Sequence, residues 1–147
     1  MKLIVDTNIV FSAILNSQSW IGQILLHPDD SLIFFSPLFL RKEILNHKQK
    51  IKQFTKLSEI ETKELIDLIY SKINFIDEKL IPKTILKTAD ELKREIDFDD
   101  AIFIALANHL NCKLWTGDKK LMNFLKMNGF KRIISTNELK SKLIQNK

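Results

Sequence analysis

Apolar positions along this chain follow two rhythms. Short dense runs occur at Lys2–Val5, Leu32–Phe35, Lys113–Thr116 and Arg132–Ile134. They are too short for helices, and β-branched or aromatic side chains supply much of their apolar content, so they read as strands. Asn74–Ile76 reads either as a further strand or as a connection. Elsewhere apolar residues recur at helical spacing. Leu38–Ile51 places Leu40, Ile44, Leu45 and Ile51 near one face, and Ser58–Ile73 does the same with Ile60, Leu65, Leu68 and Ile69. Ser58 and Glu61 stand at capping-box spacing where the second of these helices starts. Thr84–Glu95, Asp99–Leu110, Lys119–Asn128 and Asn137–Leu143 complete the helical set. Nearly all-apolar strands alternating with helices predict an α/β fold. A central, mostly parallel sheet of four to five strands would carry helices on both faces. In such sheets, ligands bind beyond the carboxyl ends of the strands, which is where chemistry is to be sought.

Composition narrows this only a little. The 147 residues suit one domain over 1–147, with one core. Hydrophobic residues at 45% and charged residues at 28% exclude a disordered chain. The single Cys excludes a disulfide scaffold and a Cys-rich zinc site, and it fits a reducing cytoplasm. The start reaches Asp6 after three apolar residues, too few for a signal peptide. No apolar run approaches the ~20 residues of a membrane span. A net charge of +5 is a weak pointer to a polyanionic partner.

Acids stand where the fold predicts a site. Asp6 directly follows the first strand, in Val5-Asp6-Thr7-Asn8, and Asp118 follows another, in Thr116-Gly117-Asp118-Lys119-Lys120. Either acid also suits a helix N-cap, and Gly117 permits a tight backbone between strand and helix. Asp97, Asp99 and Asp100 open the helix that continues through Ala101-Ile102-Phe103-Ile104. Acids favour helix N-termini through the dipole. This helix has almost no polar face, however, so Asp100 is expected to turn towards the interior or a cleft. Glu43 lies early in the helix after the second strand and has the least distinctive surroundings. If Asp6, Glu43, Asp100 and Asp118 converge, each pair at about 5 Å repels by roughly 3 kcal/mol at an effective dielectric near 20. Such a cluster calls for a counter-charge. All-oxygen ligands select a hard cation, Mg²⁺ or Mn²⁺, whereas His27, His47, His109 and Cys112 show no zinc-ligand spacing.

These residues together resemble PIN-domain nucleases. Leu3-Ile4-Val5-Asp6-Thr7-Asn8 with Ser12-Ala13 is similar to that family's opening. Asp97-Phe98-Asp99-Asp100-Ala101 with Phe103 is similar to its acidic helix, and Leu114-Trp115-Thr116-Gly117-Asp118 to its Thr-x-Asp motif. The resemblance runs from Met1 to about Ile134, and size and charge are similar to VapC-type toxins of prokaryotic toxin–antitoxin pairs. It implies a catalytic quartet of Asp6, Glu43, Asp100 and Asp118. One or two Mg²⁺ or Mn²⁺ ions would be held by Asp6, Asp100 and Asp118, with Asp97 as a further ligand. Thr116 would steady the site by hydrogen bonding, and Thr7 and Asn8 would shape the loop at Asp6. The implied activity is metal-dependent endonucleolytic hydrolysis of RNA, leaving 5′-phosphate and 3′-hydroxyl ends. The implied partners are RNA, a cognate antitoxin and a second copy of the chain.

For RNA binding, the run 41–56 sets Arg41, Lys42, Lys48, Lys50, Lys52 and Lys56 against Glu43 alone, and eight Lys or Arg follow Asp118 against Glu138 alone. Either run also reads as a solvated face. Lys119 and Lys120 are the first candidates for phosphate contact, with Arg41 and Lys42 behind them. Trp20 and Trp115 have the chemistry to stack on bases, but Trp115 sits in a predicted strand and is assigned to the core. Other readings remain. One is an RNA-processing nuclease outside a toxin system, and another a non-catalytic RNA- or protein-binding module with this fold. A phosphorelay receiver would need paired acids after the first strand, and a haloacid-type phosphatase an Asp-x-Asp. Asp6 stands alone.

Overall fold

The computed structural model describes residues 1–91 and 98–145. Five strands, β1 (Lys2–Val5), β2 (Ile33–Pro37), β3 (Ile73–Ile76), β4 (Lys113–Trp115) and β5 (Ile133–Ile134), form one sheet in the order β3-β2-β1-β4-β5. Every neighbouring pair is parallel, with Leu3 opposite Phe34 on one side and Lys113 on the other. The expected α/β architecture is therefore present, and the ambiguous run at 74–76 is a strand that pairs with β2. The central strand explains its own composition. Leu3, Ile4 and Val5 are completely buried because helices cover both faces.

Nine helices of four residues or more flank the sheet among the described residues. They are α1 (Thr7–Leu15), α2 (Trp20–Leu26), α3 (Phe39–Asn46), α4 (Lys48–Phe54), α5 (Glu59–Ser71), α6 (Lys83–Glu91), α7 (Phe98–Leu110), α8 (Lys119–Met127) and α9 (Thr136–Gln145). α7 packs on β1, β2 and β4 and is buried at Ala101 and from Phe103 to Ala107, which accounts for its lack of a polar face. The capping box of α5 forms in full. The Glu61 N–H donates to the Ser58 hydroxyl, and the Ser58 N–H donates to the Glu61 carboxylate, each at 3.1 Å. The predicted helix over 84–95 begins at Lys83, and its end lies outside the described residues.

Three expectations need correction. Leu38–Ile51 is two helices, broken at His47, whose backbone leaves helical geometry with ψ near 12°. The break turns Leu45 outward, 67% exposed, while Leu40, Ile44 and Ile51 remain buried. On α5 only Ile69 of the four predicted core residues is buried. Ile60 and Leu68 are exposed, on the side of α5 turned away from its packing against α1, α2 and β3. Only the cap at Asp6 anticipated α1, and α2 has no counterpart in the predicted set, since its seven residues are too few for a periodic signal. It is tied down instead by Ser19, whose hydroxyl accepts the Gly22 N–H, and by close packing on Ser17. A Cβ at position 22 would stand 2.4 Å from the Ser17 carbonyl oxygen, so that approach requires glycine.

The exposed apolar residues of α3, α4 and α5 border a groove of about 540 Å³ with Leu45, Leu57 and Ile60 on its walls. Arg41, Lys48 and Lys63 stand around it.

Candidate active site

Strand order locates the site before any side chain is considered. From β1 the chain builds outward to β2 and β3, then crosses back to place β4 and β5 on the other side of β1. The order therefore reverses between β1 and β4, and in open parallel sheets the crevice beyond the carboxyl ends at such a reversal is where ligands bind. Asp6 leaves β1 there and Asp118 leaves β4 there. α7 runs back along the sheet into β4, so its first turn, with Asp100, lies towards the same edge.

Asp6 caps α1. Its carboxylate accepts the Ile9 N–H at 2.9 Å, and the residue is 8% exposed. Burial pushes its carboxyl up from 3.8 to about 6. Hydrogen bonds from the Thr116 hydroxyl and the Ile9 N–H oppose that rise, whereas the charges of Asp118 and Glu43 add to it. Asp118 and Glu43, on two other elements, thus both lie within electrostatic reach of Asp6. Asp118 caps α8 in the same way, accepting the Leu121 N–H at 3.1 Å.

Two hydroxyls tie these acids together. Thr116 is fully buried, donates to Asp6 and accepts the Asp118 N–H at 3.1 Å, so it couples the ends of β1 and β4. Thr7 acts at a different place from the one expected. Its hydroxyl reaches α3 and donates to a Glu43 carboxylate oxygen at 2.6 Å. Glu43, the least distinctive acid in the sequence, is thereby brought to the β1 edge by a contact spanning 36 residues. Asn8 lies in the first turn of α1 and is exposed rather than part of a loop at Asp6.

Asp100 is half-buried at the start of α7, and Asp97 lies outside the described residues. Gly117 has no positive φ, and a Cβ there would meet nothing closer than Ile9 Cδ1 at 3.9 Å, so the tight backbone expected there is not required. Lys119 and Lys120 are exposed on the first turn of α8. Arg41 is already engaged, with its guanidinium 4.2 Å from the Phe75 ring centroid and 5.1 Å from that of Tyr70. Trp115 is core, donating to the Thr136 hydroxyl at 3.1 Å, and Trp20 packs edge-on against it beneath Lys140. Sequence reasoning missed Phe11, Ser12 and Ile21, which with Asn8 and Asp118 line a cavity of about 290 Å³ beside the acids. Phe11 and Ser12 were signalled only by helical spacing from Asn8 and by Ser12's place in the opening motif, and Ile21, on α2, by nothing.

The donor set can be tested against a metal on its chemistry. Asp6, Glu43 and Asp118 offer only carboxylate oxygens, and two of them already strain the protonation of the third, which suits a hard divalent cation. Among the described residues no three His, Cys, Asp or Glu side chains stand in coordinating positions, so the acids form an electrostatic cluster rather than a closed cage.

Comparison with known proteins agrees with this architecture. The family described as PIN domain matches residues 4–140. Three solved structures share the fold. VapBC2 from Rickettsia felis, bound to a promoter DNA fragment, superposes with a TM-score of 0.68 at 18% identity, covering 92% of this chain and 98% of that one. VapBC-1 from nontypeable Haemophilus influenzae gives 0.61 at 16% identity, with coverage of 92% and 98%. A toxin–antitoxin complex from Klebsiella pneumoniae gives 0.56 at 20% identity, with coverage of 90% and 95%. No curated protein sequence matches the chain. With the family matched over nearly its whole length, and with acids at the strand-order reversal, the chain belongs to the PIN domain family.

Proposed function

We propose that this protein is a metal-dependent endoribonuclease of the VapC kind, acting as the toxin of a toxin–antitoxin pair. The observation that carries the reading is the cluster at the β1–β4 reversal, where a buried Asp6 faces the charges of Asp118 and Glu43. Capping explains Asp6 and Asp118 singly, but not the convergence of two further carboxylate charges on a buried one. The arrangement is useful to a bound cation.

Asp6, Asp100 and Asp118 would hold Mg²⁺ or Mn²⁺, with Asp97 as a further ligand, and Glu43 completes the acidic set. When bound, such a cation supplies the positive charge that activates water and offsets the charge developing on the phosphate. The chain's own groups do the rest. Thr116 holds the Asp6 and Asp118 side of the site in register, and Thr7 fixes Glu43. Lys119 and Lys120, exposed immediately after Asp118, would take the RNA backbone, with Lys42 as a further contact. No side-chain nucleophile is required, and 1–147 would act as a single nuclease domain.

Two features support the toxin reading. The matched solved structures are described as VapBC and toxin–antitoxin complexes, and the groove of α3, α4 and α5 is an apolar surface suited to a protein partner. Its basic border favours an acidic, amphipathic segment as the occupant.

The test is cleavage of single-stranded RNA with Mg²⁺ or Mn²⁺ by the wild type and by Asp118→Asn. Cleavage that depends on the ion and disappears in the variant is the expected result. Equal cleavage by both proteins would remove this site assignment.

A further inference from the structure

The cavity beside the acids has properties of its own. It lies between α1 and α2 on one side and the loop leading into α8 on the other, and Asp118 forms part of its wall. It is open to solvent on one side, and its volume of about 290 Å³ leaves room for a planar ring system. Ile9, Phe11 and Ile21 give it an apolar lining. Asn8 and Ser12, four residues apart on α1, put an amide and a hydroxyl at exposed positions on it.

Charge decides what such a cavity accepts. Among the described residues none that lines it is a Lys or Arg, and the one ionisable group is the carboxyl of Asp118. The lining thus offers no cationic side chain to hold a phosphate, and the nearby cations Lys119 and Lys120 lie outside it. An uncharged, flat, largely apolar group with hydrogen-bonding atoms on its edge fits every wall. A nucleobase has that chemistry: an apolar face for Phe11 and Ile21, and a donor–acceptor edge for Asn8 and Ser12.

We propose that the cavity bounded by Asn8, Phe11, Ser12 and Ile21 is a base-binding subsite. It would receive the unstacked base of a nucleotide adjoining the scissile phosphate and so set the sequence preference of cleavage. This rests on the ribonuclease reading above. The subsite favours single-stranded RNA, because a paired base must first be unpaired and unstacked to enter. Phe11 is braced for the role, its ring centroid 5.5 Å from that of His47 on the side of α4. Asn8 is the specificity-determining residue, since its amide both donates and accepts.

The experiment uses the full chain and a set of short single-stranded RNAs differing only in the base on either side of one cleavage point. Initial rates are compared for wild type, Asn8→Ala and Ser12→Leu. Both substitutions fall at exposed helix positions, and matched thermal unfolding verifies the fold. The wild type is expected to prefer one base at one flanking position by roughly tenfold, the scale of one hydrogen-bonded base edge. Asn8→Ala should flatten that preference to within about threefold, mainly through KM, and Ser12→Leu should select against purines by narrowing the cavity. If the wild type cleaves RNA but both variants keep its ranking and ratios, the subsite is refuted while the ribonuclease reading stands. If the wild type cleaves none of these RNAs with Mg²⁺ or Mn²⁺, both fall together.

Discussion

Burial pushes the Asp6 carboxyl to about 6, and Asp118 and Glu43 push in the same direction. Its ordinary value of 3.8 applies once the chain unfolds. Between these values the folded protein holds a proton that the unfolded chain has lost. Stability therefore falls as pH rises from about 4 to about 6 and then levels off, at a cost of about 3 kcal/mol. Without added metal, Asp6→Asn should raise the melting temperature at pH 7.5 by several degrees, narrow its difference from pH 5, and abolish cleavage. Calorimetry at the two pH values, paired with an RNA assay, checks this, and a lowered melting temperature at pH 7.5 would contradict it. Thr116 is the opposite case. Thr116→Val leaves a half-buried N–H and a buried carboxylate without their shared hydroxyl, and it should destabilise the fold by about 1–3 kcal/mol in a denaturant titration. Neither residue's partners could be read from the sequence. The Thr-x-Asp spacing marked Thr116, but its donation to Asp6 depends on β4 lying beside β1.

At the scale of elements, the clearest local signals were those with complete stereochemistry in a few residues. The Ser58 capping box was legible because both hydrogen bonds lie within one turn, and Ser58→Ala should cost about 1 kcal/mol by urea unfolding. α2 was not legible, because seven residues carry too short an apolar period, although it also requires Gly22 to lie against the Ser17 backbone. Gly22→Ala places a methyl group 2.4 Å from a backbone oxygen that cannot swing away. A loss of about 1–3 kcal/mol is expected in the same measurement. The break at His47 shows the limit of periodicity. Leu38–Ile51 keeps an apolar rhythm through the break, so the pattern reads as one helix although the backbone turns between Asn46 and Lys48. That turn exposes Leu45 and forms one side of the groove.

For the whole molecule, the net charge of +5 is a balance between four candidate site acids and a more basic remainder. Setting aside Asp6, Glu43, Asp100 and Asp118 leaves +9 on the rest of the chain, enough to attract a polyanion towards an acidic site. Cleavage should weaken steeply between about 50 and 200 mM salt as phosphate contacts are screened, and chelation of divalent ions should abolish it. The groove makes a separate prediction. Co-purification with the product of the adjoining reading frame should fail for Ile60→Asp, while RNA cleavage by that variant stays unchanged. Loss of both together would show that the substitution unfolds the chain. In the described residues no single helix is long and apolar enough to cross a membrane, in keeping with the scarcity of long apolar runs.

What the sequence by itself determined is whatever depends on neighbours in the chain: strand and helix rhythm, the parallel α/β class, the caps at Asp6 and Asp118, and acids at strand ends. These follow from backbone stereochemistry and from apolar periods that act over a few residues. The tertiary structure alone decided which acids face one another. Glu43 is held by Thr7 across 36 residues, Asp6 meets Asp118 because β1 and β4 are adjacent, and Phe11, Ser12 and Ile21 become one cavity wall only when α1 packs on α2. Charge repulsion and cavity shape depend on distance in space, and the order of residues along the chain specifies that distance only through the fold.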